Sequence, residues 1–204
     1  KGIGHKEFKD TEVGKIPKDW EVVKLGDENF FEIIMGQSPP SWTYNKKGEG
    51  LPFYQGNADF GDLNPTPRIY CNSPLKIAKE NDLLISVRAP VGELNIANHR
   101  CCIGRGIAAI RSKTADSWFL FYSLNLLKRS WVRERTTFEE MKTTHIKNKS
   151  LAWPKPEERK EIIEILSTVD RKLEVERNEK AKLERIKQGL MDLLLTGKIR
   201  IKVD

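Results

Sequence analysis

An α+β protein, with a mixed α/β globular part followed by one long C-terminal coiled-coil helix, is the fold class this 204-residue sequence predicts. Three observations predict it. From Pro156 to about Thr196 apolar residues return at helical spacing, with no further proline and no glycine before Gly189. Residues 20–112 instead hold short apolar runs separated by Gly, Pro, Asn and Ser, which is the punctuation of strands and turns. From Ser117 to Trp131 the residues Trp118, Phe119, Phe121, Tyr122, Leu124, Leu126, Leu127 and Trp131 fit an amphipathic helix better than a strand.

Taken in order, Pro17 starts a turn, and Trp20 to Leu25 reads as a strand or the lead into a short helix. Phe30 to Met35 predicts a strand, stopped by Gly36. Residues 36–50 read as a loop by composition, with Gly, Ser, two Pro, Asn and Lys. Leu51 to Gln55 predicts a short strand, Gly56 to Pro67 a second loop, and Ile69 to Cys71 an extended piece. Asn81 and Asp82 turn into Leu83 to Val87, an apolar run suited to a buried strand. Arg88 to Gly92 reads as a turn, Leu94 to Ala97 and Ile107 to Ile110 as strands, and Leu151 to Trp153 as a last one. Trp20, Phe30, Phe31, Phe119, Phe121 and Trp153 are expected in the core. Trp42 and Tyr44, inside a polar loop, are better placed for an exposed contact.

The long helix has a good start and stop. Pro156 suits the first turn, Glu157, Glu158 and Glu161 suit the positive end of the helix dipole, and Gly197 suits a C-terminal cap. About 40 residues at roughly 1.5 Å each make a rod of about 60 Å. Ile162, Leu166, Val169, Leu173, Leu183, Ile186, Leu190 and Leu194 recur at the threes and fours of a coiled-coil seam. Between Glu174 and Lys182 only Val175 and Ala181 are apolar, and such a polar break sets register or lets paired rods splay. A partner helix, or the chain's own domain, must cover the stripe. The length favours a partner, because the rod outruns a small domain. The organisation expected is a domain over residues 1–155, the helix over 156–197 and a tail over 198–204.

The net charge of +7 is uneven. Residues 1–87 hold 11 Lys/Arg against 13 Asp/Glu, residues 88–155 hold 13 against 5, and residues 157–196 hold 9 against 10. A basic half of a domain suits a polyanion, although solubility alone explains it too. No run of 18 apolar residues exists, so no membrane span is expected. The first residues, Lys1 to His5, lack the apolar core of a signal peptide and read as a trimmed end or an artificially added one. Cys71, Cys101 and Cys102 are odd in number, and two are adjacent, so reduced thiols and a cytoplasmic location are expected. His5, His99 and His145 are scattered and no Cys-x-x-Cys is present, so no metal site is expected.

Catalytic constellations are sparse. There is no Asn/Asp-Pro-Pro-aromatic motif of a methyltransferase and no phosphate-cradling Gly-x-x-x-x-Gly-Lys-Ser/Thr. Glu139, Glu140 and Lys142 come nearest to a metal-dependent nuclease site. Binding chemistry is better represented. Gln and Asn can read adenine, Arg can read guanine, and Lys holds phosphate. The candidates for DNA contact are Gln37, Ser38, Lys46, Lys47, Gln55 and Asn57 from the first loops. Arg88, Arg105, Arg133, Arg135, Thr136 and Thr137 come from the basic half.

Thr11-Glu-Val-Gly-Lys-Ile-Pro-Lys-Asp-Trp20 with Leu25, then Ile34-Met-Gly-Gln-Ser-Pro39, then Asp82-Leu-Leu-Ile-Ser86 with Gly92, appear in that order. Thr136-Thr-Phe138, Leu151 to Pro154, Glu157 to Leu173 and the closing Leu183 to Gly197 follow. This series resembles the specificity subunit of type I restriction–modification systems over nearly the whole chain. The resemblance implies a target recognition domain and a conserved helix, with no catalytic activity and no cofactor of its own. It implies double-stranded DNA as partner, with a separate methyltransferase subunit that binds S-adenosylmethionine and a separate restriction subunit. It also implies a homodimer through the long helix, reading a bipartite site. Two departures stand out. The family's helix usually opens with Glu-Gln, where this chain has Glu158-Arg159. Most members carry two recognition domains and two helices, where this sequence has one of each. Two other readings stay open on the residues alone: a stand-alone nuclease, and a coiled-coil scaffold without a nucleic-acid role.

Overall fold

The structure is a computed structural model that describes residues 4–114, 116–134 and 140–201, the side chains of 129–134 excepted. Two compact units are present, residues 1–160 and 161–204.

In the first unit, strands β1 (Phe8–Thr11) and β2 (Gly14–Pro17) form an antiparallel hairpin. Strand β3 (Glu21–Lys24) pairs with β13 (Ser150–Trp153), so the start of the domain is closed by its last strand. A four-stranded antiparallel sheet has the order β10 (Leu94–Ile96), β9 (Leu83–Ser86), β12 (Ile107–Ser112), β4 (Phe31–Met35). A five-stranded mixed sheet has the order β5 (Tyr44–Asn45), β7 (Tyr70–Cys71), β6 (Leu51–Tyr54), β11 (Cys101–Ile103), β8 (Ile77–Ala78). Its one parallel pairing joins β11 to β6, Cys102 opposite Phe53 and Ile103 opposite Tyr54.

Every residue of β9 is buried, as a continuous apolar run requires. Leu84, Ile107 and Ala109 of the first sheet meet Tyr54, Ala78, Cys101 and Ile103 of the second in one core cluster. Helix α1 (Ser117–Glu134) packs on β9, β10 and β12. Leu120 and Leu124, four apart on its buried face, are almost fully enclosed. Truncating such a leucine to alanine costs about 2–5 kcal/mol. A second core site gathers aromatic rings around Trp153, with Phe31 and Phe119 edge-on at 5.3 Å each.

Several elements differ from the sequence reading. The stretch 36–50 is not all loop, since Ser41–Thr43 is a 3-10 turn and β5 follows it. Asn57–Asp59 is likewise a 3-10 turn inside the second expected loop. Strands β1, β2, β8 and β11 and the short helix α2 (Thr143–Lys147) went unread. Tyr44 is half-buried and stacked on Phe53 at 4.7 Å, because its hydroxyl has a partner inside the domain. Trp20 and Phe30 are half-buried rather than core.

Helix α3 runs from Pro156 to Leu194 without interruption, and its first turn belongs to the first unit. The backbone turns at Gly197, φ 71°, whose N–H donates to the Leu194 carbonyl. Within the second unit Leu166, Val169, Leu173, Leu183, Ile186, Leu190 and Leu194 are all exposed, and Ile162 is half-buried. No helix among the described residues is long and apolar enough to cross a membrane.

Candidate nucleic-acid interface

Three stretches far apart in sequence are tied to one short segment, Gly104-Arg105-Gly106, and a fourth joins through one of them. The Gln37 N–H donates to the Ile103 carbonyl at 3.0 Å, and the Gly36 N–H donates to the Ile107 carbonyl at 2.9 Å. The Gly104 N–H donates to the Tyr54 carbonyl at 2.8 Å and the Gly106 N–H to the Gln55 carbonyl at 3.1 Å. The Val87 N–H donates to the Gly106 carbonyl at 2.9 Å, and the Met141 N–H donates to the Val87 carbonyl at 2.7 Å. The Arg105 N–H is bonded to Ser38 Oγ at 3.1 Å.

The glycines make this convergence possible. A Cβ on Gly36 would lie 2.1 Å from the Gly104 carbonyl oxygen, and one on Gly106 would lie 2.3 Å from that of Gln55. No side chain fits such backbone-to-backbone approaches. Gln37, Gln55 and Arg105 are thereby brought to one surface, all three exposed. Their backbones are held while their side chains stay available, which is the arrangement that a sequence-reading surface needs.

The remaining candidates divide. Ser38 is half-buried and its hydroxyl accepts from Arg105, so it braces the loop. Asn57 opens the 3-10 turn whose Asp59 accepts from the Gln55 N–H at 2.8 Å and from Arg68 at 2.6 Å. Arg88 is beside the surface but shares its guanidinium with Glu140 at 3.2 Å. Both side chains are about half exposed, so the pair is weak and can open. Lys46 and Lys47 extend from the loop after β5, where Asn45 Oδ1 accepts from the Lys47 and Glu49 N–H groups. Among the described residues neither lysine, nor Arg105, has an ion-pair partner. Arg133 lies in α1, its side chain outside the description, and Arg135, Thr136 and Thr137 lie outside the described residues.

Not all of the basic half is free charge. Arg111 makes a two-pronged contact with Asp82, at 3.0 and 2.8 Å, and reaches Glu32 at 2.7 Å. The bond to Asp82 raises the Arg111 pKa, and Asp82 itself is buried. Lys128 is paired with Glu93. Of the nuclease candidates, Glu140 is held by Arg88, Glu139 lies outside the described residues, and no cluster of His, Cys, Asp or Glu suited to a metal ion occurs among the described residues. Sequence reasoning missed Arg100, an exposed cation in the turn before β11. Only the charge density of residues 88–155 hinted at it.

Comparison with known proteins places the chain in a family. Residues 17–185 match the family model of the type I restriction modification DNA specificity domain. A Methanocaldococcus jannaschii protein described as the specificity subunit of a type I restriction enzyme, MjaX, is 48% identical over 202 residues, 97% of this chain and 48% of that protein. The MjaVIII specificity subunit of the same organism is 31% identical over 97% of this chain and 50% of its own length. Among solved structures, the HsdS subunit from Thermoanaerobacter tengcongensis aligns with a TM-score of 0.71 and 40% identity, over 91% of this chain and 47% of that one. A chain from a type I R-M system solved to explain complex assembly and conformational transition aligns at 0.73 and 43%, over 87% and 46%. The chain therefore spans about half the length of the relatives it matches. With the family's model covering both the loop surface and most of the long helix, this chain belongs to the type I restriction modification DNA specificity domain family.

Proposed function

We propose that this chain reads a DNA sequence for a type I restriction–modification enzyme and itself makes and breaks no bond. The observation that carries the reading is the convergence of exposed Gln37, Gln55 and Arg105 on a braced glycine segment. Arg offers a two-pronged contact to guanine and Gln one to adenine, each worth about 1–3 kcal/mol of discrimination. Lys46 and Lys47 supply phosphate contacts, which position the duplex without reading it. Methyl transfer from S-adenosylmethionine and DNA cleavage belong to separate methyltransferase and restriction subunits, which this chain positions.

A half-length unit reads half of a site. The exposed stripe of α3 supports pairing of two such helices, from two copies of this chain or from two halves of a longer one. Identical units related by a two-fold would read a symmetric, interrupted site.

The test is duplex binding measured across a salt series with the purified chain and Arg105→Ala. Binding that weakens steeply with salt, and weakens further with the substitution, supports the reading. A chain with no affinity for duplex DNA at low salt, yet dimeric, would instead be a scaffold. Metal-dependent cleavage by the chain alone would favour the nuclease.

A further inference from the structure

The 3-10 turn Ser41–Thr43 displays Trp42 with 84% of its surface exposed. Single exposed apolar residues are ordinary on proteins. What distinguishes Trp42 is the bracing beneath it. The Thr43 N–H and Oγ1 both donate to the Pro40 carbonyl, at 3.0 and 2.7 Å. The Tyr44 N–H donates to the Ser41 carbonyl, closing the turn. The Tyr44 hydroxyl donates to the Pro39 carbonyl at 2.6 Å, and its ring stacks on buried Phe53. The Asn72 N–H donates to the Thr43 carbonyl at 3.1 Å. Two prolines precede the turn and limit its backbone further. A large, flat, apolar group is held out on a stiff support.

Its setting is cationic and belongs to the loop surface already described. Lys46 and Lys47 follow within five residues and have no ion-pair partner among the described residues. Arg105 is close enough to influence the Tyr44 hydroxyl, two residues from Trp42. Pro39 and Pro40 connect the turn directly to Gln37 and Ser38. In the sequence Trp42 stands between Gln37 and Ser38 on one side and Lys46 and Lys47 on the other, a cationic setting that suits a polyanion with stacked bases better than an apolar protein groove.

We infer that Trp42 is a specificity-determining residue that wedges its indole against one base step of the bound duplex. This rests on the DNA-reading proposal above. Apolar side chains inserted at a step partly unstack it, and the cost is smallest at flexible pyrimidine–purine steps. Trp42 would therefore select by deformability at a position that no hydrogen-bonding side chain needs to touch.

The test uses the full 204-residue chain and a pool of randomised duplex DNA, with bound molecules recovered and sequenced. Wild type is expected to enrich a motif that contains a TA or CA/TG step. Trp42→Ala should lose the preference at that step and bind the wild-type motif roughly ten- to a hundredfold more weakly. Trp42→Phe, which keeps a flat ring, should retain most of both. Affinity for a scrambled duplex should stay within about twofold for both variants, which shows that the loops are intact. Enrichment of the same motif with equal strength by Trp42→Ala overturns the role of Trp42 while leaving DNA reading in place. So does an unchanged motif together with lost binding to a protein partner, which would make Trp42 a protein contact. No enrichment by wild type overturns both proposals.

Discussion

Arg159 Nη2 lies 2.7 Å from Asp116 Oδ2, and both side chains are buried. Arg159 also donates to the Pro154 carbonyl, and its guanidinium sits 4.6 Å over the Trp153 ring. Asp116 immediately precedes α1 and Arg159 is in the first turn of α3, so one ion pair joins two helix starts. Beside it, Glu158 accepts from Trp20 Nε1 at 2.9 Å and bonds His5 Nε2 at 2.8 Å. Glu158 and Arg159 thus both find partners inside the domain, although the buried Arg159 Nε has no hydrogen-bond acceptor among the described residues. Removing one partner leaves a buried charge without compensation, which costs about 3–5 kcal/mol. Asp116→Ala should therefore lower the urea midpoint far more than Asp116→Ala combined with Arg159→Met. Equal losses for the single and the double change would show that the pair is not coupled.

The glycines of the loop surface should behave oppositely to the helix glycine. Gly36→Ala places a methyl against the Gly104 carbonyl oxygen and forces backbone apart, at a cost of about 1–3 kcal/mol, with weaker DNA binding. Gly189 lies inside α3, and a methyl group there would meet nothing within 4 Å, so Gly189→Ala should stabilise the helix by about 1 kcal/mol. Thermal unfolding followed by circular dichroism distinguishes the two.

What was legible in the sequence follows from how local each signal is. Helix α3 shows through because 39 residues repeat one period. Strands β9 and β12 show through because each begins with an apolar run, Leu83 to Ile85 and Ile107 to Ile110. Strand β7, with two residues, shows through as the extended piece Ile69 to Cys71, whereas β5 and β8, equally short, exist only through pairing with distant chain, so no local pattern announces them. Strand β11 was hidden in the same way, its parallel partner β6 lying far earlier. The residue types of the loop surface were readable, but their division of labour was not. Ser38 and Arg88 find partners 67 and 52 positions away, and Glu158 and Arg159 find theirs 153, 138 and 43 positions away.

Lys46 and Lys47 should contribute affinity without sequence preference. Replacing both with alanine should reduce the slope of log affinity against log salt by about 2 and leave the selected DNA motif unchanged. The measurement is a salt titration of binding to the motif and to a scrambled duplex. Weakening confined to the motif would assign these lysines to base reading instead.

Alkaline conditions should weaken the fold through two thiols. Burial pushes the Cys101 and Cys102 pKa values up from 9.0 to about 12, helped by Asp82 near Cys101 and by Cys71 near Cys102. The folded state therefore keeps its protons while the unfolded chain loses them. The stability these thiols contribute is complete below about pH 9 and is lost as pH rises toward about 12. Urea midpoints at about pH 8 and about pH 10.5 should fall less for Cys101→Ala combined with Cys102→Ala than for wild type. Lysines and tyrosines also titrate in this range, so the difference between the two proteins is the quantity to read. An identical fall would remove the thiols from the account.

The stripe of α3 yields the sharpest prediction about assembly. Leu166 is 36% exposed and Leu190 50%, on either side of the polar stretch 174–182, in a helix of about 58 Å. Leucines repeating at threes and fours gain most when they interdigitate with a second helix, whose knobs fill the holes between them. Leu166→Lys and Leu190→Lys each place a charge in such a seam, whereas Arg171→Glu changes charge away from it. Light scattering of the unaltered chain should give a mass near twice 23.5 kDa. Combining the two leucine substitutions should return the mass to that of one chain, while Arg171→Glu should leave it near the doubled value. A dimer that survives both leucine changes would place the contact elsewhere on the chain. A monomer before any change would mean that the covering helix comes from a longer specificity chain rather than from a second copy.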